Sequence, residues 1–169
     1  NALSLLFKMA EGTANPDLSP PEVIWSYLAG NQWVRLNDFQ VPTDTTNGLI
    51  ETGMISFIFP EAADTEHTIL ATGKHWLRAH VEQDSAGIAD IIGVHAQASL
   101  ATFQNNDNDP LHLAEPLVAE TISKLKIKQP EVKAVSQPFA SFGGKMKEDS
   151  AEYFRRVSER LRHKDRAVT

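Results

Sequence analysis

The chain has 169 residues, 41% of them hydrophobic, which is enough for one core or for one compact domain with a small appendage. Its net charge of −6 argues against generic nucleic-acid binding, which needs clustered Lys and Arg to neutralise phosphates. Without cysteine it has no disulfide and no thiolate metal site, and its apolar runs fall far short of the roughly 20 residues a helix needs to cross a bilayer. These properties read as a soluble protein of a reducing compartment.

In chain order, Leu3-Ser-Leu-Leu-Phe7 is apolar but lacks the basic n-region and small-residue cleavage site of a signal peptide. Ser19-Pro-Pro-Glu22 has the form of a capping box with prolines in the first turn, where their missing N–H costs nothing. It predicts a short helix with Val23, Ile24, Tyr27 and Leu28 on one side, closed by Gly30. Trp33-Val-Arg-Leu36 then reads as the first extended piece.

From Gly48 the period changes to two. Ile55, Phe57 and Phe59 alternate with Met54, Ser56 and Ile58 up to Pro60, predicting a strand buried on at least one face. Residues 75–82 place Leu77, Ala79 and Val81 opposite Arg78, His80 and Glu82, the pattern of a half-solvated antiparallel strand. Residues 91–103 alternate most clearly, with Ile92, Val94, Ala96, Ala98 and Leu100 on one face, and predict a long strand of about 12 residues. The turn cluster Asn105-Asn-Asp-Asn-Asp-Pro110 ends it. Residues 113–138 carry both a helical stripe (Leu117, Val118, Thr121, Ile122, Leu125) and the alternation Thr121-Ile-Ser-Lys-Leu-Lys-Ile-Lys128; extended structure is favoured, with a last short strand at Val132-Lys-Ala-Val-Ser136.

The end of the chain differs in character. Residues 151–169 hold six Lys or Arg against three Asp or Glu, a charge of +3, whereas residues 1–150 carry −9. After the double glycine Gly143-Gly144, Asp149 can cap a helix with Glu152 at its third position. Phe154, Val157 and Leu161 follow at i, i+3 and i+7 as an inward stripe. Arg155, Arg156, Arg160, Arg162 and Lys164 are left to the other faces, with Glu152 and Arg156 one turn apart and correctly ordered for an ion pair. A charge run is most often a solvated face. Here the apolar stripe is narrow and the arginine forks suit carboxylates on another subunit, so the polarity points to contact with a partner.

No upstream motif competes with that reading. His75 and His80 fall on opposite faces of a strand, and no His-Glu-x-x-His sequence exists. Asp107-Asn-Asp109 lacks the later Gly and Glu of a calcium loop. Gly73-Lys74 and Gly143-Gly144-Lys145 lack the remainder of a phosphate loop, and no Gly-x-Ser-x-Gly elbow is present. Neither a cofactor nor a metal is expected. Two alternatives stay open: a β-rich hydrolase gathering at least two of His75, His80, His95, Asp84 and Asp90 in a polar pocket, and a carbohydrate-binding β-sandwich with Trp25, Trp33 and Trp76 in line on one exposed face.

Val135-Ser-Gln-Pro138, Ser141-Phe-Gly-Gly144, the acidic Glu148-Asp149, and the Arg-rich stretch from Tyr153 onward resemble the baseplate J-like family, wedge proteins of contractile phage tails and related injection systems. Upstream, Asp44-Thr-Thr-Asn-Gly-Leu49, His75-Trp-Leu-Arg78 and the strand from Ile88 look like the large bacterial branch tied to type VI-like or extracellular contractile systems. The likeness covers the chain from about Trp25 to its end. It implies a non-enzymatic building block, present in several copies, that meets wedge and hub subunits, with sheath or tail-fibre components as further candidates. No nucleic acid and no membrane is implied as partner, and the location would be the bacterial cytoplasm within an assembled particle.

The expected architecture is α+β, in what reads as a fragment of a longer polypeptide. A helical segment at residues 1–30 precedes a mainly antiparallel β domain at 31–138. Residues 139–169 form a Gly-Gly turn, in which Gly143 and Gly144 set the angle, and the start of a helical region. Phe154, Val157 and Leu161 are expected to anchor the helix to its own domain.

Overall fold

A computed structural model describes residues 2–99, 101, 104, 106–109, 111–141, 144 and 148–162. The fold is α+β: seven strands, paired antiparallel throughout, precede one α-helix in the described chain. The chain divides into two compact units, Asn1–Thr102 and Phe103–Thr169.

The first unit holds all the strands: β1 (Ala2–Met9), β2 (Ile24–Ala29), β3 (Gln32–Arg35), β4 (Thr43–Asp44), β5 (Gly53–Ile58), β6 (Leu77–His80) and β7 (Ile91–Ala96). They form a four-stranded sheet in the order β4-β5-β1-β7 and a three-stranded sheet in the order β3-β2-β6. The side chains that meet between the sheets follow from the period of two. β1 contributes Phe7 and Met9, β5 contributes Ile55 and Phe57, and β2 contributes Trp25 and Tyr27. Trp25 lies at the centre, 5.7 Å from the ring of Phe7 and edge-on to Phe57 at 4.9 Å, the tilted geometries that aromatic quadrupoles favour. Burying Phe57 completely contributes about 1.5–3 kcal/mol.

β5 matches the expected strand, with Ile55 and Phe57 inward. Its first residue must be glycine: a Cβ on Gly53 would lie 2.5 Å from the Thr45 carbonyl oxygen. The approach is this close because the Asp44-Thr-Thr-Asn-Gly-Leu49 loop folds back on itself. Asp44 Oδ1 accepts from both the backbone N–H and the hydroxyl of buried Thr46 at 2.7 Å, and the Thr46 hydroxyl accepts from Leu49 N–H at 3.1 Å. Asn47, Gly48 and Leu49 then pass in succession through the left-handed region.

The expected helix over residues 19–30 does not form, nor does any other helix in residues 2–30 apart from turns; β1 and β2 stand there instead. The residues before Pro20 and Pro21 are pushed towards extended backbone, and Glu22, the supposed box partner, bonds Arg35 at 2.7 Å. β2 is the middle strand of its sheet and is buried on both faces from Trp25 to Leu28, so its apolar positions run together and imitate a helical stripe. Gly30 does not cap a helix. With Asn31 it makes the two-residue turn of the β2–β3 hairpin, both at positive φ (53° and 63°), the geometry of a type I′ turn.

β6 is shorter than its expected span, and β7 stops at Ala96 where 91–103 was expected. Gln97 takes a φ of 59° and ends the regular ladder, although Ala98 N–H still donates to the Ser4 carbonyl of β1 at 3.2 Å. Residues 100, 102 and 103 of that expected strand lie outside the described residues.

In the second unit, residues 113–138 form no strand, and the expected short strand at 132–136 is absent. Side chains tie this irregular chain together. Gln137 accepts from Ile122 N–H through Oε1 and donates through Nε2 to the Phe139 carbonyl at 3.0 Å, while Ser141 Oγ accepts from Leu117 N–H at 2.8 Å. Backbone bonds from Glu120 N–H to the Gln137 carbonyl and from Ser141 N–H to the Leu117 carbonyl complete the tie.

Candidate functional site

The helix α1 (Ser150–Arg162) begins as its residues dictate. Asp149 Oδ1 accepts from Glu152 N–H at 2.7 Å, and Glu152 Oε2 accepts from Asp149 N–H at 3.4 Å, a reciprocal capping box. The expected Glu152–Arg156 pair gives way to a two-pronged bond from Arg156 to Glu148, Nε to Oε1 at 2.5 Å and Nη2 to Oε2 at 2.8 Å. The Arg156 guanidinium also lies 5.4 Å from the ring centre of Tyr153, one turn back. The bond to Glu148 raises the Arg156 pKa above its ordinary value. Arg156 is therefore a brace for the first two turns and less a free cation.

Arg155, Arg160 and Arg162 are exposed and make no ion pair among the described residues. At about 100° per residue, Arg155 and Arg162 fall on one flank of the Phe154–Val157–Leu161 stripe and Arg156 and Arg160 on the other. The stripe itself is not inward. Phe154 is 66% exposed and Leu161 70%, Val157 is half-buried, and no residue of α1 is fully buried. The expectation that these three anchor the helix to its own domain is corrected accordingly: the apolar stripe faces outward, with arginines on both sides. A shallow hollow of about 430 Å³, lined by Glu148, Asp149, Ser150, Tyr153 and Phe154, opens at its start.

Lys164 and Gly143 lie outside the described residues. Gly144 is not in the left-handed region, and a Cβ there would meet Leu113 Cδ2 at an ordinary 3.5 Å. Any turn the pair makes therefore does not draw on left-handed freedom at Gly144.

The residues of the two alternative readings are not gathered. His75, His80, Asp84 and Asp90 are exposed and His95 is half-buried. The cavity of about 330 Å³ that His75 borders is otherwise lined largely by apolar side chains, among them Leu3, Leu5, Phe59 and Leu77, and takes in none of the other four. Among the described residues no three His, Asp or Glu side chains are grouped to hold a metal. The tryptophans do not line one exposed face. Trp25 is in the core, Trp33 is half-buried beneath the Arg78 guanidinium at 4.7 Å, and Trp76 donates to the Ala71 carbonyl at 3.0 Å. His67, which no sequence motif singles out, is fully buried and donates through Nε2 to the Lys74 carbonyl, holding the loop before β6.

What the described site offers is thus a surface: a ridge of apolar side chains rimmed by guanidinium groups, on a chain of net charge −6. Guanidinium groups pair with carboxylates in two-pronged geometry, and apolar side chains with apolar patches. A search of curated proteins finds no match to the chain. The model of the family described as Baseplate protein PVC11-like matches residues 1–169, the entire chain, and the chain belongs to that family, as a structural baseplate component of a phage tail-like system.

Proposed function

We propose that this protein is a wedge component of the baseplate J-like kind in a contractile injection machine, and that it works by subunit assembly without catalysis. α1 is its contact surface: Phe154, Val157 and Leu161 supply the apolar centre, and Arg155, Arg160 and Arg162 the charged rim. Arg156 acts from within the helix through Glu148, and the Gly143-Gly144 segment leads the chain into it. The partners are other wedge and hub subunits, with sheath or tail-fibre components as further neighbours, in several copies per particle. The particle assembles in the bacterial cytoplasm.

The observation that carries this reading is the exposure of Phe154 and Leu161 between arginines that make no ion pair among the described residues, in a member of a baseplate family. An aromatic and a leucine kept in water are an uncompensated cost for an isolated chain and become favourable when a partner covers them, at about 25 cal/mol per Å² of apolar surface removed from water. Charge reversal at Arg155 and Arg160 tests it in assembled particles. The variant is expected to be depleted from purified baseplates while its melting temperature stays within a degree or two of the parent. Baseplates containing it at parental stoichiometry would overturn the reading.

A further inference from the structure

Two features elsewhere in the chain complement each other. β7 is the outermost strand of the four-stranded sheet, paired on its inner side with β1. Of the strands at sheet edges it is the longest: six residues, against two for β4 and four each for β3 and β6. Edge strands are ordinarily blunted by charge, proline or brevity, because their unpaired N–H and C=O groups invite another strand. β7 reads Ile91-Ile-Gly-Val-His-Ala96, with no charged residue and no proline, whereas β3 and β6 carry Arg35 and Arg78. Ile91, Ile92 and Val94 are 48%, 66% and 50% exposed. The register Phe7↔Val94 puts Val94 on the core side of the sheet, so among the described residues the core ends at an uncovered rim.

The second feature is Ser123-Lys-Leu-Lys-Ile-Lys128. It alternates with the period of a half-solvated strand, yet none of its residues pairs in a sheet among the described residues, and Leu125 and Ile127 are 42% and 73% exposed. It is a strand pattern without a strand partner. Its three lysines meet no acid among the described residues. The first unit, by contrast, has four Lys or Arg against twelve Asp or Glu, a charge of −8, with exposed Asp90 directly before β7.

We infer that residues 123–128 of one copy add as a strand to the β7 edge of a second copy. Leu125 and Ile127 continue the apolar side that Phe7 and Val94 begin, the backbone closes the open edge, and the lysines face water beside an acidic unit. The contact is heterologous, since donor and acceptor are different surfaces, and each copy has one of each. It deepens the assembly reading by naming a second copy as one partner, and rests on that reading only for the expectation that copies meet.

The test is complementation between two variants of the chain, read by sedimentation velocity. Ile92→Lys with Val94→Lys breaks the acceptor; Leu125→Glu with Ile127→Glu, at exposed positions, breaks the donor. The parent is expected to self-associate with concentration, less so at high salt. Each variant alone is expected to weaken by about tenfold or more, and the mixture to regain a dimer that stops at one copy of each. Because the acceptor change could unsettle the sheet, Lys124, Lys126 and Lys128 changed together to Glu give a second probe that leaves β7 intact, and it too should lose association. A parent that stays monomeric, a mixture no better than its components, or cross-links between residues 123–128 and β7 confined to monomers would each overturn the inference. Baseplates that form normally from both variants would remove this contact and leave the α1 reading standing; depletion of the α1 variant with strand pairing intact would separate the two in the other direction.

Discussion

The two units bury their apolar residues in opposite ways. In residues 1–102 the sheets enclose Phe57, Ile55 and Met9 at 1% exposure or less, whereas no described residue after 102 is fully buried. One unit is held by a core. The other is held by local hydrogen bonds from Gln137, Ser141, Asp149 and Glu148, and leaves Phe154, Leu161, Ile127 and Leu111 largely in water. Since apolar burial dominates folding free energy, the first unit should supply most of the stability of the chain and the second most of its capacity to bind.

That contrast can be broken in stages. Phe57→Ala removes a fully buried ring next to Trp25 and should cost about 3–5 kcal/mol, dropping the melting temperature by more than about ten degrees; a small shift in calorimetry would show that the sheets are not the stabilising core. Asp44→Ala strands two donors of buried Thr46 and should cost about 1–3 kcal/mol in denaturant titration, with a parental midpoint as the contrary result. Asp149→Ala, in the other unit, removes a cap worth about 0.5–2 kcal/mol to its helix. Hydrogen exchange should speed up in α1 and not in β5; a global change would mean that the units share stability. Phe154→Ser with Leu161→Ser should leave the melting temperature unchanged or raise it, since both side chains are already in water.

What the sequence revealed divides along the same line. β5 was legible because Ile55 and Phe57 alternate cleanly with half-exposed neighbours, and the start of α1 because capping is a local matter between Asp149 and Glu152. β2 was misread because a strand buried on both faces loses its alternation. The signal that could have corrected it was Gly30-Asn31, a type I′ hairpin pair, between two short runs rich in aromatic and β-branched residues. β1 is legible too, from Leu3, Leu5, Phe7 and Met9 against Ser4 and Lys8. At the site, the arginines were found by composition. Their division of labour was not, because the partner of Arg156 is Glu148, eight residues back and outside the helical i, i+4 spacing, and the outward turn of Phe154 and Leu161 depends on what the rest of the chain leaves uncovered.

The most direct test of the central claim, that α1 is a subunit contact and not a packed element of its own chain, is the amount of Arg155→Glu/Arg160→Glu protein in purified baseplates, measured beside its melting temperature. Strong depletion from the particle at unchanged stability is the expected result. Full incorporation, or depletion explained by a matching fall in melting temperature, would contradict it.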